Sequence, residues 1–369
     1  MSCSLPVSLR KPELLTQEIF EMMKCRGSRL FLKIFTVLLA LCLLPSSILA
    51  DAVVEDVELA SPPEYALPID FSIPPAPKAE GFSESKDENG KPVRVYEDST
   101  IRVVLSEVRY YLTEKNDKSG TDIWMADIVI SDPSQLRTAS FDDNLDFSSA
   151  DSKNVRKGKI KNLAERANAV VAVNGDSVGA KEEKHNFGVV LRQGQLFQNS
   201  LDDKGNYRMD LLIVDEYGDF HGIHAAEAGM LDDPTVYEGN KVLDIFSFGP
   251  ILVENGVAVE DYQGVDRKKS EGGCWMKMLS TEDAQRVAVC QLGPLHYMLV
   301  ASANDRGNTG LTLREFADFL VSQGVQFAYN LDGGVSSVLY YCGAGKVNLK
   351  SVKQGRDLWD IIYFATAEN

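Results

Sequence analysis

The chain has 369 residues, 44% hydrophobic and 9% aromatic, which is enough apolar material for one large domain or two small ones with real cores; disorder of the whole chain is excluded. Its formal net charge is −16, and because the first fifty residues are net basic the remainder is more acidic still. Such a charge repels nucleic acid and anionic lipid surfaces, so neither is expected as a partner.

At the N-terminus Lys24, Arg26, Arg29 and Lys33 lead into the apolar run 34–44, followed by Pro45 and the small-residue site Ala50-Asp51-Ala52. This is the outline of a signal peptide over residues 1–50, cleaved near Ala50 or Ala52, with Met22 or Met23 as alternative starts. The run falls short of the roughly 20 residues that span a bilayer, so no stable membrane span is expected, and the mature chain is expected to be secreted or held at the cell surface. Three cysteines remain beyond it, Cys274, Cys290 and Cys342, so there is one disulfide or none. Residues 51–92 carry Pro62, Pro63, Pro68, Pro74, Pro75 and Pro77 and read as an extended linker, closing on a hairpin or loop at Asn89-Gly90.

The folded domain is expected over residues 93–369. Strand-like runs recur at 101–105, 123–130, 169–173, 187–191, 211–214, 248–253, 286–290, 296–301, 327–331, 335–341 and 358–364. One helix is expected from Lys159 to about Ala167 on the stripe Ile160, Leu163, Ala164, Ala167. A second begins at Thr312, whose spacing to Glu315 is a capping box, and stops at Gly324. Together these predict a single α+β domain, a mixed β-sheet core with a few packed helices. No Gly-rich phosphate loop opens either helix.

Two apolar strands break into polar residues. After 327–331 come Asp332, Gly333, Gly334 and Ser336, with Asn330 and Asp332 on one face of the strand; after 169–173 come Asn174, Gly175 and Asp176. Each break reads either as an ordinary turn or as the rim of a ligand site. Because both follow a helix-then-strand unit, the second reading puts them on one edge of one sheet. Arg286 opens the run 286–290, which places Arg286, Ala288 and Cys290 on one face, an arrangement that suits phosphate or simply ends a strand in solvent. His221 and His224 lack the spacing of a helical zinc motif, and neither a Gly-x-Ser-x-Gly elbow nor a Ser-x-x-Lys stands in the right setting. No metal and no cofactor are expected.

In this order Asn174-Gly175-Asp176, Gly188 through Arg192 to Gly194, Phe248-Gly249-Pro250, Arg286, His296, Gly310 before the capped helix, and Asn330-Leu331-Asp332-Gly333-Gly334 with Ser336 resemble the phosphodiester glycosidase family over about residues 93–367. The resemblance implies hydrolysis of the C1–O bond of sugar-1-phosphate diesters, with a sugar-phosphate diester or a cell-surface polysaccharide as partner. It implies Asp332 and Asp176 as catalytic carboxylates, Arg286 for the phosphate, and Asn174, Asn330, Gly333, Gly334 and Ser336 for substrate binding. The chain departs from the family pattern at Val287, Cys290 and Val335 and lacks an Asp-Gly pair near 302–304, where Asp305 is a substitute. Two other readings therefore stand beside hydrolysis. One is a glycan- or wall-polymer-binding module without turnover. The other is a metal-dependent phosphodiesterase with Asp176, Asp305 and Asp332 as oxygen ligands.

Overall fold

The structure is a computed structural model that describes residues 72–111, 120–140, 157–176, 188–201, 210–226, 229–260, 262, 282–303, 308–348 and 355–368. The signal segment, Pro62, Pro63, Pro68, Cys274 and Asp305 lie outside the described residues.

Alternating apolar positions build three sheets. The nine-stranded sheet runs, in spatial order, Phe82–Lys86 (β1), Pro92–Glu97 (β2), Ile101–Tyr110 (β3), Thr121–Ile130 (β4), His296–Ser302 (β16), Val287–Gly293 (β15), Phe327–Asn330 (β17), Ile251–Glu254 (β13) and Val257–Ala258 (β14). The six-stranded sheet comprises Phe220–Ile223 (β10), Leu211–Asp215 (β9), Asn240–Phe246 (β12), Gly188–Arg192 (β7) and Gln195–Ser200 (β8), with Val236–Tyr237 (β11) paired to β12. Gly345–Lys346 (β19), Leu339–Tyr341 (β18), Val171–Asn174 (β6), Asp360–Phe364 (β20) and Leu136–Ser140 (β5) make the five-stranded sheet. The two α-helices among the described residues are Ile160–Arg166 (α1) and Leu313–Ser322 (α2).

The expectation of a mixed sheet with packed helices needs correction. Ladder pairing is antiparallel among the described residues in all three sheets, and the protein is more β-rich than an α+β domain. Short hairpins such as β2–β3 and β15–β16 supply most neighbours, and they require antiparallel pairing.

One face of the nine-stranded sheet, with Val103, Val289, Tyr297 and Tyr329, packs in a single cluster on Val173, Leu339 and Ile362 of the five-stranded sheet and Leu212 and Phe246 of the six-stranded one. Its other face, with Ala288, Cys290, Met298 and Ala328, is covered by Phe316, Ala317 and Leu320 of α2. Each fully buried side chain of this size contributes about 1.5–3 kcal/mol. The capping box of α2 forms as expected: Thr312 Oγ1 accepts from the Glu315 amide at 3.2 Å, and Glu315 Oε2 accepts from the Thr312 amide at 2.8 Å. Helix α1 lays Ile160, Leu163 and Ala164 on the outer face of the five-stranded sheet.

Order begins before residue 93, inside the segment read as a linker. Pro74 is buried and its carbonyl accepts from Asn168 Nδ2 at 2.8 Å, while β1 pairs with β2 through five registered positions. The hairpin closes because Asp87 Oδ1 accepts from the Asn89 and Lys91 amides and Gly90 takes a positive φ of 77°. Among the described residues no helix is long and apolar enough to cross a membrane.

Candidate functional site

Only some of the polar residues singled out above gather, and not along one edge of one sheet. Asn174 ends β6 in the five-stranded sheet and Asn330 ends β17 in the nine-stranded one. The two breaks are stitched together across the gap between sheets, where Asn174 Nδ2 donates to the Asp332 carbonyl at 2.9 Å and Asn174 Oδ1 accepts from the Val338 amide at 3.2 Å. Arg286, just before β15, joins the same neighbourhood through its backbone. Its carbonyl accepts from Ser337 Oγ at 3.0 Å, and the neighbouring Gln285 carbonyl accepts from the Gly334 amide at 2.8 Å.

Glycine at 333 is required by this packing, since a Cβ there would sit 2.5 Å from the Gln285 carbonyl oxygen. Gly334 turns the chain with a φ of 58° into a single 3-10 turn, Gly334–Ser336. The loop leaves Asp332 with a side chain 19% exposed, and Arg356, 54% exposed, faces its Oδ2 at 3.6 Å. Flanking it in sequence are two buried polar atoms with no hydrogen-bond partner among the described residues, Asn330 Oδ1 and Ser336 Oγ. The amide end of Asn330 is occupied, with Nδ2 donating to the Gly249 carbonyl at 2.9 Å.

Arg286 lies on the α2 side with Ala288 and Cys290, as the alternation predicts, but it is buried. Its Nε donates to the Leu311 carbonyl at 2.8 Å and its Nη2 to the Glu282 carbonyl at 2.7 Å. Burial pulls its pKa down to about 10 against the acidic neighbours Asp283 and Glu282 and the Tyr262 phenol.

Asp176 sits in a second, sealed group. Arg192 Nη2 donates to Asp176 Oδ2 at 2.8 Å and to Asp360 Oδ2 at 3.1 Å, and the guanidinium lies 4.1 Å over the Phe246 ring. Its Nη1 donates to the Leu191 and Ile245 carbonyls. The Ser247 amide reaches Asp176 Oδ2 at 3.2 Å, and Trp359 Nε1 donates to the Asp176 carbonyl at 2.7 Å. A third carboxylate, Asp244, accepts from Thr138 Oγ1 at 3.0 Å and from the Gln193 amide at 3.1 Å. Three carboxylates around one guanidinium leave excess negative charge, and burial raises all three: Asp176 upward, Asp244 to about 6 and Asp360 to about 7. Gly175 makes room for this group, because a Cβ there would lie 2.3 Å from Asp360 Oδ1.

Arg192, Asp244, Asp360 and Arg356 carry no site role in the sequence reading. Arg192 stood inside the quoted motif, and an arginine closing an apolar strand was the available signal for a buried counter-ion. Val287 lies in the central core and Cys290 in the core under α2, where burial pushes its thiol far above the ordinary range, while Val335 is exposed. Among the described residues Cys290 and Cys342 form no disulfide. Among the described residues no three His, Cys, Asp or Glu side chains group as a metal site.

Sequence and fold together identify a phosphodiester glycosidase domain. The sequence model of that family, Phosphodiester glycosidase, matches residues 167–365, more than half of the chain, and the chain belongs to the family. Its fold is similar to the zebrafish N-acetylglucosamine-1-phosphodiester alpha-N-acetylglucosaminidase catalytic domain auto-inhibited by pro-peptide, at a TM-score of 0.54 and 14% identity, covering 77% of this chain and 87% of that one. A hypothetical protein from Synechocystis matches at a TM-score of 0.47 and 14% identity over 77% and 68% of the two chains. No curated protein matches the chain in sequence.

Proposed function

We propose that this protein hydrolyses the C1–O bond of a sugar-1-phosphate diester, so that water oxygen joins C1 and the phosphate leaves as a monoester with its own oxygen. What supports the reading is the pair of buried polar atoms with no partner among the described residues, Asn330 Oδ1 and Ser336 Oγ, on either side in sequence of the partly exposed Asp332. Buried polar atoms are nearly always paired, and two orphans in one stretch of chain fit a ligand whose hydroxyls complete them. Asp332 stabilises or traps the oxocarbenium-like centre, while Asn330 and Ser336 orient the sugar. Positive charge for the phosphate comes from Arg356 at the rim, with Arg286 beneath. Asn174, Gly333 and Gly334 hold the loop in place. Asp176, sealed against Arg192, acts as a positioning group for the end of β6 rather than as a second reacting carboxylate.

The test is turnover of methyl diesters of sugar 1-phosphates in heavy-oxygen water by wild type and Asp332→Asn. The expected result is label in the sugar for the wild type and turnover lower by orders of magnitude in the variant. Label in the phosphate means P–O cleavage and overturns the glycosidase reading; no turnover by wild type on any diester favours a glycan-binding module on the same fold. We propose further that the chain is exported, on the signal-like N-terminus. N-terminal sequencing of protein from cells checks this, with a start near Asp51 or Val53 expected.

A further inference from the structure

The strands that carry the candidate site also build a second recess at their other ends. Asn330 ends β17 and Phe327 begins it, so the two lie about 10 Å apart by strand rise. Glu254 likewise closes β13, whose first residue follows Gly249-Pro250. Against these ends stand β10 and β11 of the six-stranded sheet, and a cavity of about 360 Å³ lies between, lined among others by Phe220, His221, Tyr237, Glu254, Gln326 and Phe327.

Its construction is that of a saccharide site. The floor is aromatic, with Phe220 and Phe327 meeting edge to face at a centroid distance of 6.2 Å. One wall is formed by the rings of His221 and Tyr237, 5.3 Å apart. The imidazole is fixed without any ligand, since a ring nitrogen pairs with Asp215 Oδ2 at 2.9 Å, and Asp215 in turn accepts from the Tyr217 and Asp219 amides. Gln291 is locked behind it, accepting from the Phe220 amide and donating to Asp219 Oδ1, each at 2.9 Å. The rim carries a half-exposed carboxylate, Glu254, and the exposed carboxamides of Asn255 and Gln326.

A pyranose offers one face of C–H groups and a girdle of hydroxyls. Rigid rings accept the face, and carboxylate and carboxamide accept and donate to the girdle. The charge selects further. Asp210, Asp215, Asp219 and Glu254 outnumber the two imidazoles paired with them, His221 on Asp215 at 2.9 Å and His224 on Asp210 and Glu254 at 3.5 Å, both with pKa values raised by those carboxylates. A phosphate or sulfate is disfavoured by that field. We propose that this recess is a second saccharide-binding site, for a neutral hexose unit of a glycan, distinct from the site at Asp332 and able to anchor a polymer independently of any turnover there.

Titration of the full chain with maltotetraose, cellotetraose and N-acetylchitotetraose, followed by NMR chemical shifts, tests the assignment. Expected are saturable binding of at least one tetrasaccharide at millimolar concentration, a loss of at least about tenfold in Tyr237→Ala, and unchanged binding in Asp332→Asn. Gln326→Ala, an exposed substitution that leaves the core intact, is expected to weaken binding several-fold and serves if Tyr237→Ala fails to fold. Absence of binding by the wild type to all three, wild-type binding in the folded recess variants, or loss of binding in Asp332→Asn alone overturns the proposal.

Discussion

Asp176 and Asp332 both follow strands at the meeting of two sheets, yet their carboxylates have opposite surroundings. Asp176 is closed in with Arg192, Asp360 and the Ser247 amide, while Asp332 stands partly in solvent with an exposed arginine at 3.6 Å. The sealed charge is tied to the fold, because removing its partner strands it in a low-dielectric interior. The partly exposed one, 19% exposed, costs the fold less. Partial exposure and deep burial are thus divided between two aspartates of similar local sequence.

The largest effect should come from breaking the sealed side. Arg192→Met leaves Asp176, Asp244 and Asp360 buried without a cation, and a loss of roughly 3–5 kcal/mol is expected in denaturant melts. An unchanged transition would mean the three carboxylates are neutral in the folded protein and need no counter-ion. On the open side, Asp332→Asn should lower turnover of a sugar-1-phosphodiester by about 10²–10³-fold, with the thermal midpoint unmoved. A matched fall in stability would assign Asp332 to the turn instead.

Asp244→Asn sharpens the comparison through pH. Asp244 has an ordinary pKa of 3.8 unfolded and about 6 folded, so the folded chain holds its proton more tightly, and stability falls as pH rises from about 4 through 6. The asparagine keeps an oxygen for Thr138 and Gln193 but cannot ionise. Relative to wild type it should gain up to about 3 kcal/mol between pH 4 and 7, read from melts across that range. A constant difference at all pH values would contradict the buried titration. The smallest effect is expected for Arg356→Ala, whose pair with Asp332 is exposed: a several-fold rise in KM with little change in kcat or melting.

Legibility in the sequence followed the same division. The strand breaks at Asn174 and Asp332 and the face shared by Arg286, Ala288 and Cys290 are visible as alternation, and α2 is visible in its Thr312–Glu315 box. Strand β12 was missed because Asp244 interrupts its apolar run, and Asp244 is buried among partners distant in sequence, Arg192, the Gln193 amide and Thr138. Likewise Val335 to Val338 looked like strand, but Gly334 and the Gln285 carbonyl bend that stretch into a 3-10 turn. What alternation cannot disclose is the partner across the sheet, and that partner decides whether a polar residue is sealed or open.

The clasp between Lys78 Nζ and Glu368 Oε1, at 3.0 Å, with Ser99 Oγ on the other carboxylate oxygen at 2.7 Å, brings chain entering the domain beside chain leaving it. A tension applied between those two points therefore loads the Lys78–Glu368–Ser99 contacts first and reaches the β2–β3 and β5–β20 ladders only after they part.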